Sequence, residues 1–225
     1  CDGIRLLREA VSSSCIVTAV FAASEQKAHE LESELSAHVC FVTGDIMKNV
    51  SPLKTAQDVL FSCKIPKSRM IDIRAKNIVL DGLGDPGNVG TVMRGAAAFE
   101  IDSVVLCGDS ADPYNPKTVR ATMGAIFRQN VVRMDYRELG ECVLNGLELY
   151  GADAGKNSRD VRGLDLRGVS IAIGSEGAGL SDEIKALCRE LVAIPMEPGA
   201  ESLNAGVAAN LFMWMMYKGG PDADA

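Results

Sequence analysis

Short apolar runs alternate with amphipathic segments along most of the chain, from residue 77 to residue 217. Runs of four or five apolar residues predict strands, and apolar positions that recur every three or four residues predict helices. The two kinds of segment alternate, which indicates a parallel sheet with helices on both faces. We expect strands at 77–80, 103–107, 131–134, 149–152, 169–173 and 191–194, and helices at 89–99, 116–123, 136–146, 182–186 and 205–217.

The first 68 residues form a smaller α/β pattern of their own. Helices are expected at 4–10, 25–37 and 44–49, and strands at 15–21, 39–42 and 59–64. A short, polar, proline-containing segment at 65–70 then separates this pattern from the larger one, as linkers do. We therefore predict a domain over 1–68, a linker over 69–75, a second domain over 76–218 and a disordered tail over 219–225. Because residues 4–10 already resemble the middle of a helix, the small domain is expected to lack its first elements.

Composition narrows the classes of function. The net charge of −7 argues against a protein that coats nucleic acid non-specifically, although it allows a local basic patch. The basic residues nearest the linker are Lys64, Lys67, Arg69, Arg74 and Lys76. The seven cysteines are scattered without a C-x-x-C pair, which predicts free thiols, no metal site and a cytoplasmic location. No apolar run is long enough to span a bilayer, so no membrane partner is expected.

Three loops rich in glycine or proline, at 81–88, 174–181 and 194–204, each follow a predicted strand and precede a helix. Ligands of open parallel sheets bind beyond the carboxyl ends of the strands, so the three loops are candidates for one shared site. The simpler interpretation is a set of turns in which Asn88, Ser181, Ser202 and Asn204 are helix caps. The glycines match neither G-x-G-x-x-G nor the P-loop pattern, which disfavours a dinucleotide or nucleoside triphosphate site.

Arg94 lies six residues after Asn88, beside a run of small residues at 95–98. It is either a surface arginine whose stem covers apolar surface or a residue that reaches into a site at the helix start. Lys117 and Arg120 stand in the first turns of another helix, where cations oppose the helix dipole. These residues either lie near a bound anion or form a solvated face, and both interpretations stay open.

The last predicted helix is apolar nearly all round, with one stripe formed by Leu203, Val207, Leu211 and Trp214. Such a helix is buried on several sides. Core packing is the first interpretation, and a subunit interface is the second, because tryptophan and methionine are common in interfaces.

Taken together, these segments resemble the motifs of the SpoU (TrmH) branch of the SPOUT RNA methyltransferases. The first motif is D-G-L-G-D-P-G-N-V-G-T-V-M-R at 81–94, and the second is I-G-S-E-G-A-G-L at 173–180. The third is I-P-M at 194–196 followed by E-S-L-N at 201–204, and the segment at 113–124 is also similar. Residues 1–68 are similar to the family's N-terminal RNA-binding domain, which has a ribosomal-protein-like α/β fold.

The resemblance implies a trefoil-knotted, parallel-sheet SPOUT domain that forms a homodimer and binds S-adenosylmethionine in the knot. The implied reaction is methyl transfer to a ribose 2′-hydroxyl of structured RNA, and the small domain favours ribosomal over transfer RNA. The implied cofactor-binding residues are Gly174, Ile194, Met196 and Leu203. The implied catalytic residues are Arg94, which activates the hydroxyl, and Asn88, Glu176, Ser202 and Asn204, which shape the site.

Three points stay open at the level of sequence. Arginine is normally a fixed cation, so Arg94 acts as a base only if it is strongly perturbed and otherwise orients the phosphate or hydroxyl. The family usually has a Val-Ser-Val-like run after Asn204, whereas this chain has Ala205-Gly206-Val207. The alternatives are an RNA-binding homologue without activity and a Rossmann-type oxidoreductase, and the missing G-x-G-x-x-G disfavours the latter.

Overall fold

The computed structural model describes residues 1–51, 53, 55–155, 157–197, 199 and 202–218. The predicted tail at 219–225 and Glu201 of the third motif lie outside the described residues. Among the helices that are described, none is long and apolar enough to cross a membrane.

Residues 1–63, called here the N-terminal unit, form a three-stranded sheet with three helices. Its strands pair in the order β2-β1-β3, with β1 parallel to β2 and antiparallel to β3. The elements are α1 (Ile4–Ser12), β1 (Val17–Ala22), α2 (Glu25–Leu35), β2 (Cys40–Phe41), α3 (Gly44–Val50) and β3 (Val59–Cys63). Each predicted element is present, with its ends shifted by one or two residues.

Residues 77–218 contain a seven-stranded sheet in the order β6-β5-β4-β9-β7-β10-β8, and every pairing in it is parallel. The parallel α/β sheet predicted from the alternation is therefore confirmed. The strands are β4 (Asn77–Asp81), β5 (Ser103–Cys107), β6 (Asn130–Arg133), β7 (Leu149–Ala152), β8 (Arg159–Asp160), β9 (Ser170–Gly174) and β10 (Glu190–Ala193). The helices are α4 (Pro86–Ala98), α5 (Pro116–Ala121), α6 (Tyr136–Leu144), α7 (Asp182–Leu187) and α8 (Ala205–Lys218).

Two local features differ from the prediction. Strand β8 was not expected, because it consists of two polar residues that pair only with the edge of β10. Helix α5 ends at Ala121 rather than at Met123, because Met123 and Gly124 both adopt left-handed conformations, with φ of 50° and 96°. A short 3-10 turn at Ala125–Phe127 follows instead.

The large sheet separates two apolar clusters. Ile78 and Leu80 of β4 belong to the cluster that includes residues of α4 and α8. Val79, between them, belongs to the cluster that includes residues of α6 and α7. Because side chains alternate along a strand, Asp81 lies on the same face as Val79. The α4 and α8 face of β4 is therefore apolar, whereas the α6 and α7 face carries the carboxylate of Asp81 at the strand end.

Helix α1 and strand β3 of the N-terminal unit contact the turn that follows α5. Arg128 donates to Glu9 at 2.5 Å, and the rings of Phe61 and Phe127 lie 6.2 Å apart between centroids. A cavity of about 370 Å³ at this junction is lined by Arg5, Leu6 and Gln57 on one side and by Arg120 and Met123 on the other. The two parts of the chain thus share a packed boundary, and its opening presents Arg5 and Arg120 together with the buried carboxylate of Asp2.

Candidate functional site

The three loops singled out in the sequence meet at the carboxyl end of the large sheet. One oxygen of Glu176, Oε1, accepts hydrogen bonds from Asn88 Nδ2 at 2.8 Å and from Asn204 Nδ2 at 2.6 Å. The backbone N–H of Ala205 approaches the same oxygen at 3.4 Å, and Asn204 also donates to Asn88 Oδ1 at 3.1 Å. Asn88, Glu176 and Asn204, called here the Asn-Glu-Asn cluster, therefore join the start of α4, the loop after β9 and the start of α8.

The local sequence explains why these helices begin where they do. Asp85 caps α4 by accepting from the N–H of Asn88 at 2.8 Å, and Pro86 occupies the first turn. The interpretation of Asn88 as the cap is therefore wrong, because Asp85 provides that acceptor and leaves the Asn88 amide for Glu176. Ser181 does cap α7, as the simpler interpretation proposed. Asn204 has both roles, since its Oδ1 accepts from Val207 N–H at 3.2 Å while its Nδ2 donates to Glu176.

The charge of Glu176 is placed where two helices stabilise it. Its carboxylate lies at the N-termini of α4 and α8, whose dipoles carry partial positive charge at that end. Gly206 allows the two helices to approach this closely. A Cβ there would lie 3.2 Å from Asn204 Oδ1 and 3.4 Å from Asn88 Oδ1. The departure from the family's Val-Ser-Val-like run therefore falls at a position where α8 packs tightly against the cluster.

A cavity of about 220 Å³ opens beside Glu176. It is lined by the four residues predicted to bind the cofactor, Gly174, Ile194, Met196 and Leu203, and by Glu176 and Ser202. Asn88 and Asn204 stand behind Glu176 through their hydrogen bonds and are not among the lining residues. Eight of the nine predicted site residues therefore either line this cavity or donate a hydrogen bond to Glu176 in its wall.

The glycine-rich loop after β9 folds back on itself at the cavity wall. Ser175 and Gly179 exchange two backbone hydrogen bonds, of 3.1 and 2.9 Å, and Gly179 has a φ of 70°. A Cβ on Gly174 would lie 2.1 Å from the carbonyl carbon of Gly179. The loop therefore needs glycine at both positions, because a side chain at either one conflicts with this turn.

The cavity combines apolar walls with negative charge. Ile173, Val192, Leu203 and Phe212 supply apolar surface, and two carboxylates, those of Glu176 and Asp153, face the same space. No lysine, arginine or histidine is found among its described lining residues. This arrangement suits a ligand that carries both an aromatic ring and a cationic group.

Asp153 was not singled out by sequence reasoning. Its Oδ2 accepts from the N–H of Gly155 at 3.0 Å and from the hydroxyl of Ser158 at 2.9 Å. The signal was available, since Asp153 follows the predicted strand at 149–152 as directly as the other loops follow theirs. Phe212 and Ala208 of α8 also line the cavity. The sequence could not distinguish them from core residues, because that helix is apolar nearly all round.

Arg94 is the predicted site residue that the structure does not bring into this cavity. It lies six residues beyond Asn88 on α4, about 9 Å further along the helix axis. It is exposed and lines a separate groove of about 720 Å³ between α4 and α8, together with Thr91, Val207 and Leu211. Within one chain, therefore, the guanidinium and the Asn-Glu-Asn cluster face different openings.

Proteins of known name are similar to this chain along nearly its whole length. A curated relative, the 23S rRNA (guanosine(2553)-2′-O)-methyltransferase RlmP of Bacillus subtilis (strain 168), is 28% identical over 215 residues, or 95% of this chain and 86% of RlmP. The crystal structure of the SpoU methyltransferase AviRb from Streptomyces viridochromogenes, in complex with S-adenosylmethionine, aligns with a TM-score of 0.83 and 25% identity. That alignment covers 97% of this chain and 88% of AviRb.

An S-adenosylmethionine-bound rRNA methyltransferase from Sinorhizobium meliloti shares the fold, with a TM-score of 0.79 and 23% identity over 96% of this chain and 85% of that one. Residues 75–214 match the model of the SpoU rRNA methylase family, and these residues contain the three loops, the Asn-Glu-Asn cluster and the cavity. The chain therefore belongs to the SpoU rRNA methylase family.

Proposed function

We propose that this protein transfers a methyl group from S-adenosylmethionine to a ribose 2′-hydroxyl in ribosomal RNA. The observation that carries the proposal is the cavity at the strand ends, which places Gly174, Ile194, Met196 and Leu203 around one space next to Glu176. The cavity lies within the residues that match the SpoU family, and RlmP, a relative along nearly the whole chain, is a 23S rRNA 2′-O-methyltransferase by name.

The residues of the cavity fit S-adenosylmethionine. Its adenine ring needs apolar surface, which Ile173, Val192 and Leu203 offer. Its sulfonium and ammonium groups are cationic, and the described lining supplies carboxylates and no basic side chain. Gly174 lets the backbone of Gly179 pack directly against the strand end, which keeps the loop compact at the cavity wall.

When bound, S-adenosylmethionine supplies an electrophilic methyl group on a positively charged sulfur. We assign Glu176 to holding the cavity mouth in shape, because it links the starts of α4 and α8 while its charge faces the ligand. Ser202 lines the cavity and Asn204 donates to Glu176 from the start of α8, so we assign both to shaping the site. As the new C–O bond forms, the methyl–sulfur bond breaks to leave a neutral thioether, and the hydroxyl proton passes to water. We assign Arg94 to orienting that hydroxyl or its phosphate, as a guanidinium does well.

We propose that two copies of the chain pair through the groove between α4 and α8. Val207, Leu211 and Trp214 line this groove and are 47%, 40% and 45% exposed, which is unusual for apolar residues that recur along one helix face. A second copy would cover them and would also bring Arg94 under an interface. In the proposed homodimer, the Arg94 guanidinium can therefore reach a site that it does not reach within one chain.

We propose in addition that the domain at 76–218 is a trefoil knot and that the domain at 1–68 binds RNA, with the linker between them at 69–75. Strand β9 is inserted between β4 and β7, and Asn204 at the start of α8 donates to Asn88 at the start of α4, which supports a threaded path. The exposed side chains of Arg5 and Arg120 at the boundary opening support RNA contact there. All seven cysteines are free thiols, which supports a cytoplasmic location.

The test of the proposed function is methyl transfer from radiolabelled S-adenosylmethionine to total ribosomal RNA, with transfer RNA in a parallel reaction. We expect label in ribosomal RNA at a nucleotide whose 3′ linkage resists alkaline hydrolysis, since a methylated 2′-hydroxyl cannot attack the phosphate. Label in a base would contradict ribose methylation. Cofactor binding without any transfer would favour an RNA-binding homologue without activity.

Replacement of Arg94 by alanine tests its assigned role. We expect methyl transfer to fall about 100-fold or more, because a donor that orients the reacting group is lost. The dissociation constant for S-adenosylmethionine, measured by calorimetry, should stay unchanged, because Arg94 does not line the cofactor cavity. Arg137→Ala, a change of the same kind on the exposed face of α6, is the control. A fully active Arg94→Ala variant would refute the assignment.

A further inference from the structure

A buried carboxylate at the end of β4 has no part in the mechanism described so far. Asp81 is only 3% exposed, and in the sheet it lies between Cys107 of β5 and Gly174 of β9. Its Oδ2 accepts from the backbone N–H of Ser181 at 2.6 Å, and its Oδ1 accepts from the hydroxyl of Tyr136 at 2.9 Å. A buried charge is costly unless donors compensate it, and here each oxygen has one.

These hydrogen bonds lead to the loop that forms the cofactor cavity wall. That loop leaves the sheet at Gly174, the register partner of Asp81, and returns at Ser181, whose backbone Asp81 binds. Between these points, Leu180 is buried in the apolar cluster beneath the loop. Asp81 therefore closes the base of the loop, so that the two ends of the loop are attached to the same residue.

The loop is held from both faces of the sheet. On the α4 and α8 side, Glu176 accepts from Asn88 and Asn204. Asp81 lies on the opposite face with α6 and α7, and holds Ser181, which in turn caps α7. The position of Glu176 at the cavity thus depends on two attachments, only one of which belongs to the Asn-Glu-Asn cluster.

The phenol and thiols nearest Asp81 are held in their neutral forms. Burial raises the pKa of the Tyr136 phenol, and the hydrogen bond to Asp81 raises it further. Burial and the nearby Asp81 charge raise the pKa of Cys107 and of Cys188 to about 12, so both thiols are neutral at physiological pH. Gly108 leaves room for the Tyr136 hydroxyl, since a Cβ there would lie 2.5 Å from that oxygen.

We propose that Asp81 is a positioning residue for the cofactor: it fixes the loop at 174–181 through Ser181, with Tyr136 orienting the carboxylate. The proposal rests on the proposed function, because it takes the cavity at this loop to be the S-adenosylmethionine site. It predicts that loss of the Asp81 carboxylate weakens cofactor binding while RNA binding, which involves other surfaces, is unaffected.

The test compares Asp81→Ala with Asn77→Ala, a matched change at the other end of β4. Asn77 is also buried and hydrogen-bonded, to Ser170 and to two backbone carbonyls, but lies about 13 Å from Asp81 along the strand. Loss of hydrogen bonds to a buried charge should raise the dissociation constant for S-adenosylmethionine about tenfold or more in Asp81→Ala. Asn77→Ala should lower the melting temperature and leave that constant unchanged, and both variants should bind RNA normally.

Two further variants keep the test decisive if Asp81→Ala does not fold. Asp81→Asn retains an acceptor for Ser181 N–H and can donate to the Tyr136 oxygen, so it should restore most of the cofactor affinity. Tyr136→Phe removes one donor and should weaken cofactor binding in the same direction by a smaller factor. Equal cofactor affinity in the unchanged chain and in Asp81→Ala and Tyr136→Phe would overturn the proposal.

Failure of the proposed function gives a different result. If the unchanged chain does not bind S-adenosylmethionine at all, the assignment of the cavity is wrong. If the unchanged chain binds it and the Asp81 variants bind it equally well, only the positioning role is wrong.

Discussion

The carboxylate of Glu176 is bound at one oxygen by two asparagines that are 116 residues apart in the chain. Neither asparagine is unusual in its own segment. Asn204 is a helix cap, and Asn88 follows a cap. Their importance comes from the third partner, because a charged acceptor between two amide donors makes the bonds shorter and stronger than those between neutral groups. At this scale the charge of Glu176, rather than its size, is the property to test.

Glu176→Gln removes the charge and keeps the shape of the side chain. We expect the dissociation constant for S-adenosylmethionine to rise about tenfold, because a neutral amide loses the attraction for a cationic ligand and the benefit of two helix N-termini. Glu183→Gln is the matched control, since Glu183 is an exposed glutamate in the first turn of α7 and does not line the cavity. Equal cofactor affinity in the two variants, measured by calorimetry, would show that the charge is not needed.

Helix α8 has three different environments along and around it. Its first residues contact the Asn-Glu-Asn cluster, and Ala208 and Phe212 line the cavity. Met213 and Met216 are buried in the core, whereas Val207 and Leu211 face the open groove. An element apolar nearly all round is thus used on one side for the core and on another for a surface that a single chain leaves uncovered. The two interpretations of this helix from sequence are therefore compatible.

Leu211→Glu tests the groove as the surface that joins two copies. We expect a shift from dimer to monomer in analytical ultracentrifugation, because a carboxylate cannot be buried in an apolar interface without a partner. Leu144→Glu on α6, where the leucine is 89% exposed and outside the groove, should leave the mass unchanged. A monomeric unchanged chain, or a dimeric Leu211→Glu variant, would exclude this groove as the dimer interface.

On the scale of the whole molecule, the N-terminal unit packs against α5 and the turn that follows it. Helix α5 in turn packs against α4, and a Cβ on Gly90 of α4 would lie 2.5 Å from the Cβ of Ala121. The opening between Arg5 and Arg120 therefore lies one helix away from the start of α4, where Asn88 stands. RNA that contacts both parts of the chain would cross this opening, and neither arginine forms a salt bridge with any residue that the structure describes.

The double variant Arg5→Ala/Arg120→Ala should weaken binding of ribosomal RNA fragments at low salt. The plot of log affinity against log salt concentration should become less steep by about two, since about one unit is lost with each phosphate contact. Arg8→Ala, on the same helix as Arg5 but paired with Glu34, is the control and should leave the slope unchanged. An unchanged slope in the double variant would place the RNA elsewhere.

Much of this architecture could be read from the chain because its elements are locally encoded. The buried strands β4, β5 and β9 are continuous apolar runs, and the helices between them carry their own caps, such as Asp85, Ser181 and Asn204. Where local encoding is weak, prediction was wrong. Strand β8 has two polar residues and exists only because the edge of β10 is available, and α5 is shortened by the left-handed turn at Met123 and Gly124.

The sequence by itself determined the alternation of strands and helices, the three loops at strand ends and the residues that resemble the SpoU motifs. These features depend on neighbours within a few positions, so a single chain reveals them. Only the tertiary structure decided that Glu176 binds Asn88 and Asn204, that Arg94 faces a different groove and that Asp81 closes the base of the loop at 174–181. The reason is physical: each of these contacts joins residues from different strands or helices, and strand order and helix packing, not local spacing, set their distances.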